Sequence, residues 1–206
     1  NGSTPDLAWG LASEFESYLE PCHAYWGAMR DRIEAAEDGG LPGTIGPVLR
    51  RSVDALGRVR IELPAHICLI RTVQGLSDTG AKETAAYHRD MRPQYEAGVA
   101  FLEGHPVESR CLSARLVRND APGPARPHTE TIAWFTSLED LEAWVHDHPT
   151  HRAIFDATHE HAARFAPEMR LLLGHEVIVA PAGGARALYV GCHSDTGLMP
   201  YFPADE

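Results

Sequence analysis

The sequence predicts an α+β fold in which helices cover one face of an antiparallel sheet. From residue 66 onward, segments with alternating apolar residues and segments with helical periodicity follow the order β-α-β-β-α-β, plus an extra strand. Turn-forming residues separate these segments. The order is that of a ferredoxin-like domain, whose four strands form one antiparallel sheet with both helices on one side.

Alternation and β-branched content predict the strands, over residues 58–63, 66–73, 109–119, 128–137, 169–181 and 186–194. A helical pattern covers residues 79–104 and is expected to bend at Pro93, which has no backbone N–H to donate. Residues 121–127 are rich in proline and glycine and are predicted to form a turn or loop.

Capping residues predict where the two later helices begin. Ser137, followed three residues later by Asp140, is a typical capping pattern for a helix over 137–148. Pro149 suits the first turn of a second helix, where the N–H that proline lacks would have no helical partner.

The N-terminal part is predicted to be separate from this domain. Residues 1–56 are expected to form a connector and an amphipathic helix over 22–38, with Tyr25, Met29 and Arg32 on one face. Residues 57–206 form the predicted ferredoxin-like domain. Since the chain begins with Asn1, we expect a trimmed chain or a piece of a longer one.

Composition argues against several classes of function. The 206 residues carry 29 acidic and 18 basic side chains, so a net charge of −11 disfavours binding to nucleic acid or to anionic membranes. No apolar run approaches the roughly 18 residues of a membrane span, and we expect neither a signal peptide nor a lipid anchor. The cysteines form no CxxC motif, so we expect reduced thiols in a cytoplasmic protein.

Two histidines fall on faces that are predicted to be buried. His151 lies on the apolar stripe of the second helix, together with Phe155, and His175 alternates with aliphatic residues in a strand. An inward neutral imidazole can bind a metal or a haem iron, or can be a core histidine bonded to a carbonyl. If Arg32 is buried, its charge needs a partner. Thr72 lies in a predicted strand, where threonine is common without any functional role.

The remaining histidine clusters do not predict a metal-ion site. His148 and His151 are separated by Pro149, and no HExxH motif is present. We interpret His146, His159 and His161 as surface residues. Phosphate-binding loops and nucleophile elbows have no matching motif either.

Longer strings resemble a known family over about residues 22–202. The strings are HAYWGAMRDRI (23–33), HICLIRTVQ (66–74), RLVRN (115–119), WFTSLEDLEAWVHDHPTHRAIF (134–155), LLLGHEVIV (171–179) and YVGCHSDTGLMPYF (189–202). They resemble the haem-dependent aldoxime dehydratases. The resemblance implies a carbon–oxygen lyase that converts an aldoxime, R–CH=N–OH, to a nitrile and water, with the substrate nitrogen on the iron of ferrous haem b.

The resemblance also implies roles for four residues. His151, in the HPTH motif, would be the proximal ligand of the haem iron. His175, in the HEV motif, would be the distal acid and base. Arg32 would lie in the distal pocket, and Thr72 would orient the oxime oxygen through its hydroxyl.

The sequence departs from the family pattern in three ways. Thr72 stands where members usually carry serine, and a short insertion falls around residues 158–161. Members are also much longer, with an N-terminal half that completes a dimeric α+β barrel. We therefore expect this chain to be half of such a barrel, paired with that missing half or with a second copy in a homodimer.

Three alternatives remain open: a haem enzyme acting on another N–O or N–N substrate, a haem-binding carrier or sensor, and a folded fragment without activity. The nature of the aldoxime side chain is also open. Trp26, Phe135 and Trp144 can line the pocket, although core packing is the usual task of buried aromatics.

Overall fold

The structure is a computed structural model that describes residues 30–39, 41–43, 50–119, 128–183 and 185–201. The strands are β1 Arg50–Val53, β2 Val59–Glu62, β3 Cys68–Gly75, β4 Cys111–Asn119, β5 His128–Phe135, β6 Leu172–Val179 and β7 Arg186–Tyr189. The helices are α1 Ala81–Ala86, α2 Arg92–Gly104, α3 Pro106–Ser109, α4 Leu138–Asp147 and α5 Pro149–Phe165. None of these helices has the length and apolar composition of a membrane span.

Four strands form the main sheet, in the order β4-β5-β3-β6, with every neighbouring pair antiparallel. This confirms the predicted ferredoxin-like arrangement. The extra strand β7 pairs with β2, and β1 pairs with the other edge of β2, forming a second, three-stranded sheet. The described residues form no closed barrel.

Helices α2 and α4 cover one face of the main sheet. Side chains alternate between the two faces of a strand, so Cys68 and Ile70 of β3 point to the same side. Both belong to a core cluster with residues of α2 and α4, among them Val99 and Leu141. Phe135 of β5 is fully buried in the same cluster. The helix-covered face of the sheet is therefore the face of Cys68, Ile70 and Thr72.

Pro93 lies in the first turn of α2, directly after a π-helical turn over Tyr87–Met91. The predicted 79–104 helix is therefore interrupted where the proline was expected to bend it. The wider π turn accommodates a residue that cannot donate its backbone N–H to the preceding turn. The first and last residues of this turn, Tyr87 and Met91, are buried.

The predicted helix starts at 137 and 149 are confirmed. The hydroxyl of Ser137 accepts a hydrogen bond from the backbone N–H of Asp140 at 3.1 Å. His148 caps α5 in the same manner, since its Nδ1 accepts from the N–H of Thr150 at 3.3 Å. The short helix α3 and the strand β1 were not predicted. β1 lies within residues 1–56, the predicted connector.

The predicted helix over residues 22–38 is wrong where the structure describes it. Residues 30–39 form two 3₁₀ segments, Arg30–Arg32 and Glu34–Gly39. Short i to i+3 hydrogen bonds, such as Ala36 N to Ile33 O at 2.7 Å, replace the α-helical pattern. The tighter turns place Ala36 in the core, and the Arg30–Glu142 ion pair at 2.7 Å ties the segment to α4. Residues 22–29 and the predicted loop at 121–127 lie outside the described residues.

Replacing Ser137 by alanine should destabilise the fold by about 1 kcal/mol, because the cap of α4 is lost and the hydroxyl is buried. Chemical denaturation of Ser137→Ala would measure the free energy of unfolding. The exposed Ser52→Ala variant in β1 is the control and should unfold like the parent protein. Equal stability of both variants would contradict the capping role.

Candidate functional site

Thr72 and His175 face each other across two neighbouring strands. In the antiparallel pair of β3 and β6, Thr72 is directly opposite His175. Directly opposite residues on one face have Cβ atoms about 5 Å apart. His175 shares its face with Val177 and Val179, which pack against the helix-covered core. The register therefore brings the predicted hydroxyl and the predicted distal imidazole together under the helices.

His151 is buried in the first turn of α5, with 6% of its surface exposed. The ring of Trp144 meets it edge-on, with centroids 4.7 Å apart. Burial lowers the pKa of His151 from its ordinary 6.5 to about 4, although a hydrogen bond to the backbone of Val145 opposes the shift. At neutral pH the imidazole is therefore uncharged, which is the form that binds a metal ion.

His175 is held neutral by the same cause. Burial is the main reason why its pKa falls to about 3, and the positive charge that His151 would carry is a further cause. His151 comes from α5 and His175 from β6, on the side of the sheet that the helices cover. The structure thus pairs two of the four predicted site residues, Thr72 and His175, and buries a third, His151, in the helix layer on the same side.

The fourth predicted residue, Arg32, is the last residue of the first 3₁₀ segment. Its side chain lies outside the described part of the structure. The neighbouring Arg30 anchors this segment, since its Nε and Nη2 atoms both donate to the carboxylate of Glu142. These hydrogen bonds raise the pKa of Arg30, so the guanidinium stays charged. The predicted distal position of Arg32 stays a prediction.

The aromatic residues divide between core and site. Phe135 is fully buried among core residues and does not line the site. Trp144 packs against the same core and also touches His151. Its indole N–H donates to the hydroxyl of Thr150 at 3.3 Å, which fixes the ring beside the histidine. Trp26 lies outside the described residues.

The prediction that His161 is a surface residue is wrong. His161 is 4% exposed, whereas Phe155, which was expected on the inward stripe, is 37% exposed. The inward face of α5 carries His151, Ile154 and His161. There the imidazole of His161 lies beside the buried carboxylate of Glu83 on α1, which is why His161 is not at the surface. His146 and His159 are exposed, as predicted.

A second polar pair adjoins Thr72 and was missed by the sequence analysis. Thr131 of β5 is directly opposite Thr72, on the other side from His175. Its hydroxyl is hydrogen-bonded to the hydroxyl of the buried Tyr95 on α2. Burial raises the pKa of Tyr95, so its hydroxyl stays protonated. No short motif predicts this neighbour, because only the strand register places it there.

The other face of the sheet holds a different set of groups. An open cavity of about 660 Å³ lies there, lined by residues of both sheets that include Ile132, Trp134, Ala187 and Tyr189. It lies on the side of the sheet away from Thr72 and His175, so it is not the candidate site. In the part of the chain that the structure describes, no three His, Cys, Asp or Glu side chains are grouped to hold a metal ion.

The haem-free protein should lose stability as the pH falls from about 6.5 to about 4. The pKa of His151 is lowered to about 4 in the folded protein, so only the unfolded chain takes up this proton in that range. The lowered pKa of His175 also makes the folded protein less stable as the pH falls. His151→Gln should therefore flatten the fall in the free energy of unfolding, measured by denaturation at each pH.

The exposed His159→Gln variant is the matched control for this measurement and should keep the slope of the parent protein. A His151→Gln variant whose stability falls as steeply with acid as the parent's would contradict the lowered pKa of His151.

Comparison with known proteins identifies the family of this chain. A family model described as haem-containing dehydratase matches residues 1–198. The chain is 35% identical over 190 residues to a phenylacetaldoxime dehydratase of Bacillus sp. (strain OxB-1), covering 89% of this chain and 54% of that protein. It is 35% identical over 179 residues to an aliphatic aldoxime dehydratase of Pseudomonas chlororaphis, covering 86% of this chain and 50% of that protein.

Solved structures agree as well. The fold matches a crystal structure of an aldoxime dehydratase with a TM-score of 0.80 at 31% identity, over 97% of this chain and 57% of that one. It also matches an aldoxime dehydratase in complex with butyraldoxime, with a TM-score of 0.78 at 30% identity, over 93% of this chain and 54% of that one. This chain thus spans about half the length of these relatives. It belongs to the haem-containing dehydratase family.

Proposed function

We propose that this chain provides the haem-binding part of an aldoxime dehydratase, a carbon–oxygen lyase that converts an aldoxime to a nitrile and water. The observation that carries the proposal is the pairing of Thr72 with His175 on the helix-covered face, near the buried His151. Membership of the haem-containing dehydratases and the activities of the relatives named above support it.

The residues of the site fit a haem. An axial ligand must be an uncharged imidazole, and burial gives His151 a pKa of about 4. The edge-on contact with Trp144 holds that ring in place. We infer that His151 holds haem b through its iron and that His175 and Thr72 face the substrate side.

When bound, ferrous haem would supply the electron density that weakens the N–O bond of an aldoxime held through its nitrogen. The protein residues supply orientation and proton transfer. Thr72 donates its hydroxyl hydrogen to the oxime oxygen and so directs the leaving group towards His175. Arg32 is proposed to favour negative charge in the same pocket.

His175 transfers the two protons that the reaction requires. A leaving hydroxide needs one proton to become water, and the carbon of the aldoxime loses one proton as the nitrile forms. The imidazolium form of His175 gives the first proton, and the neutral ring then accepts the second, so it ends in the state in which it began. Burial lowers the pKa of free His175 to about 3, so the bound substrate has to raise that pKa for the ring to take up its first proton from water before the N–O bond breaks.

The identity of the substrate depends partly on Thr72. Relative to the usual serine of the family, threonine keeps the hydroxyl and adds a methyl group, which restricts its rotation and narrows the site. A haem enzyme acting on another N–O or N–N substrate therefore remains the alternative. A haem carrier is disfavoured, because a carrier has no use for an acid and a hydroxyl side by side.

The complete protein needs a second structural half. The described residues leave the non-helical face of the main sheet beside an open cavity, and the relatives are about twice as long. We propose that an N-terminal half completes the α+β barrel on this face, or that a second copy does so in a homodimer.

Absorption spectroscopy tests the proposed function directly. The purified protein is examined oxidised, reduced with dithionite, and then with an aldoxime added anaerobically. A Soret band that shifts on adding the aldoxime, together with nitrile formation, is the expected result. A Soret band that does not respond would favour another nitrogen substrate or a carrier, and no Soret band after haem is supplied would overturn haem binding by this chain.

Replacing the proposed proximal ligand should abolish haem binding. His151→Gly removes the imidazole, so the Soret band should be lost or strongly weakened, and added imidazole should restore it. The exposed His146→Gly variant, five residues earlier, is the control and should bind haem normally. An unchanged haem spectrum in His151→Gly would contradict the proximal assignment.

Replacing the proposed distal acid should separate binding from chemistry. His175→Gln should keep the haem but lower the rate of nitrile formation by at least about a hundredfold, the range expected for loss of a general acid or base. Single-turnover kinetics with ferrous protein would measure it. Turnover at the parent rate would show that His175 moves no proton.

A further inference from the structure

A buried carboxylate lies between the element that carries His151 and the element that carries His175. Glu83 belongs to α1 and is only 5% exposed. Its Oε1 accepts hydrogen bonds from the backbone N–H groups of Arg170 and Leu171, each at 2.9 Å. Its Oε2 also accepts from Arg170, at 3.2 Å. The proposed reaction makes no use of this carboxylate.

These backbone groups need an acceptor because they lie just beyond a strand ladder. The pairing of β3 with β6 ends at Gly75 opposite Leu172. Arg170 and Leu171 precede that pair, so β3 offers them no partner in register. A buried N–H group that is left unsatisfied is costly. Glu83 therefore fixes the entry into β6, four residues before His175.

The same carboxylate contacts α5. The Nε2 atom of His161 lies 3.5 Å from the Oε1 atom of Glu83, and both side chains are almost fully buried. His161 lies on α5, three helical turns beyond His151. We call Glu83, His161 and the N–H groups of Arg170 and Leu171 the Glu83 clasp. It joins the helix of the proposed proximal ligand to the strand of the proposed distal acid.

A carboxylate suits this position better than an amide. Every group directed at Glu83 in the clasp is a donor or, for the imidazole, can be one. A carboxylate has acceptors only, and a charged acceptor makes shorter and stronger hydrogen bonds than a neutral one. A glutamine would present its NH₂ group to at least one N–H group, and the two donors would repel each other.

From this geometry we propose that Glu83 and His161 are positioning residues that set the separation between His151 and His175, and with it the width of the haem site. The inference rests on the proposed function. The role assigned to both residues is positioning only, without contact to the substrate or the haem. The clasp acts by holding α5 and the start of β6 at one fixed spacing.

Haem titration of the full-length protein tests the clasp. Glu83→Gln should weaken haem binding by about tenfold or more, since a mispaired buried group disfavours the geometry that the haem requires. It should also shift the iron–imidazole stretching band of the ferrous protein, which a general loss of stability would not do. Amide hydrogen exchange at Arg170 and Leu171 should be faster.

Variants of His161 provide rescue and a control. His161→Leu removes the N–H group and should behave like Glu83→Gln, whereas His161→Gln keeps a donor at a similar position and should bind haem nearly as the parent does. The exposed His159→Leu, two residues earlier on the same helix, should change neither measurement. The His161 pair decides the question even if Glu83→Gln does not fold.

Parent-like haem affinity and an unchanged stretching band in His161→Leu would overturn the inference, even with a lower midpoint of unfolding, because the clasp would then be structural only. Equal effects of His161→Leu and His161→Gln would also overturn it. A parent protein that binds no haem would overturn the proposed function and this inference with it. That outcome is distinguishable, because it appears before any substitution is made.

Discussion

The candidate site depends on the register of the central strand β3. This strand pairs on one side with β6 and on the other with β5, so each of its residues has two fixed neighbours on the same face. At Thr72 these neighbours are His175 and Thr131. Thr131, Thr72 and His175 therefore form one row of polar groups. These three residues are far apart in the sequence, and the pairing of β3 with its two neighbours is what aligns them.

An ion-pair network behind the row strengthens the same register. Arg71 is directly opposite Glu176, and their charged groups lie 3.6 Å apart. Arg71 also pairs with Glu130 of β5 at 2.5 Å. Burial alone would raise the pKa of Glu130, but the hydrogen bonds from Arg71 and His128 outweigh it, so this pKa is lowered. Removing one member would leave a poorly solvated charge on the sheet. One face thus carries the proposed chemistry, and the other carries charges that tie the same three strands together.

Local signals in the sequence were sufficient for the topology of the main sheet and for the inward position of two candidate residues. The cap at Ser137 and the break before Pro93 follow from single residues, and periodicity placed His151 and His175 on inward faces. The burial of His161 could not be predicted, because its partner Glu83 lies 78 residues away and neither residue belongs to a recognisable pattern. The helix predicted over 22–38 failed over its second half for a related reason. There, packing of Ala36 and the Arg30–Glu142 pair override a weak helical pattern.

The alternation of β3 and β6 also limits how the gene can change. A single inserted or deleted residue would exchange the two faces of the strand in which it falls, so that Arg71 would replace Thr72 in β3, or Glu176 would replace His175 in β6, beneath the helices. Such a lineage would lose the hydroxyl or the imidazole in one step, with no gradual intermediate. Changes of length are therefore expected to accumulate in the connecting segments among descendants, while the spacing within these two strands stays fixed.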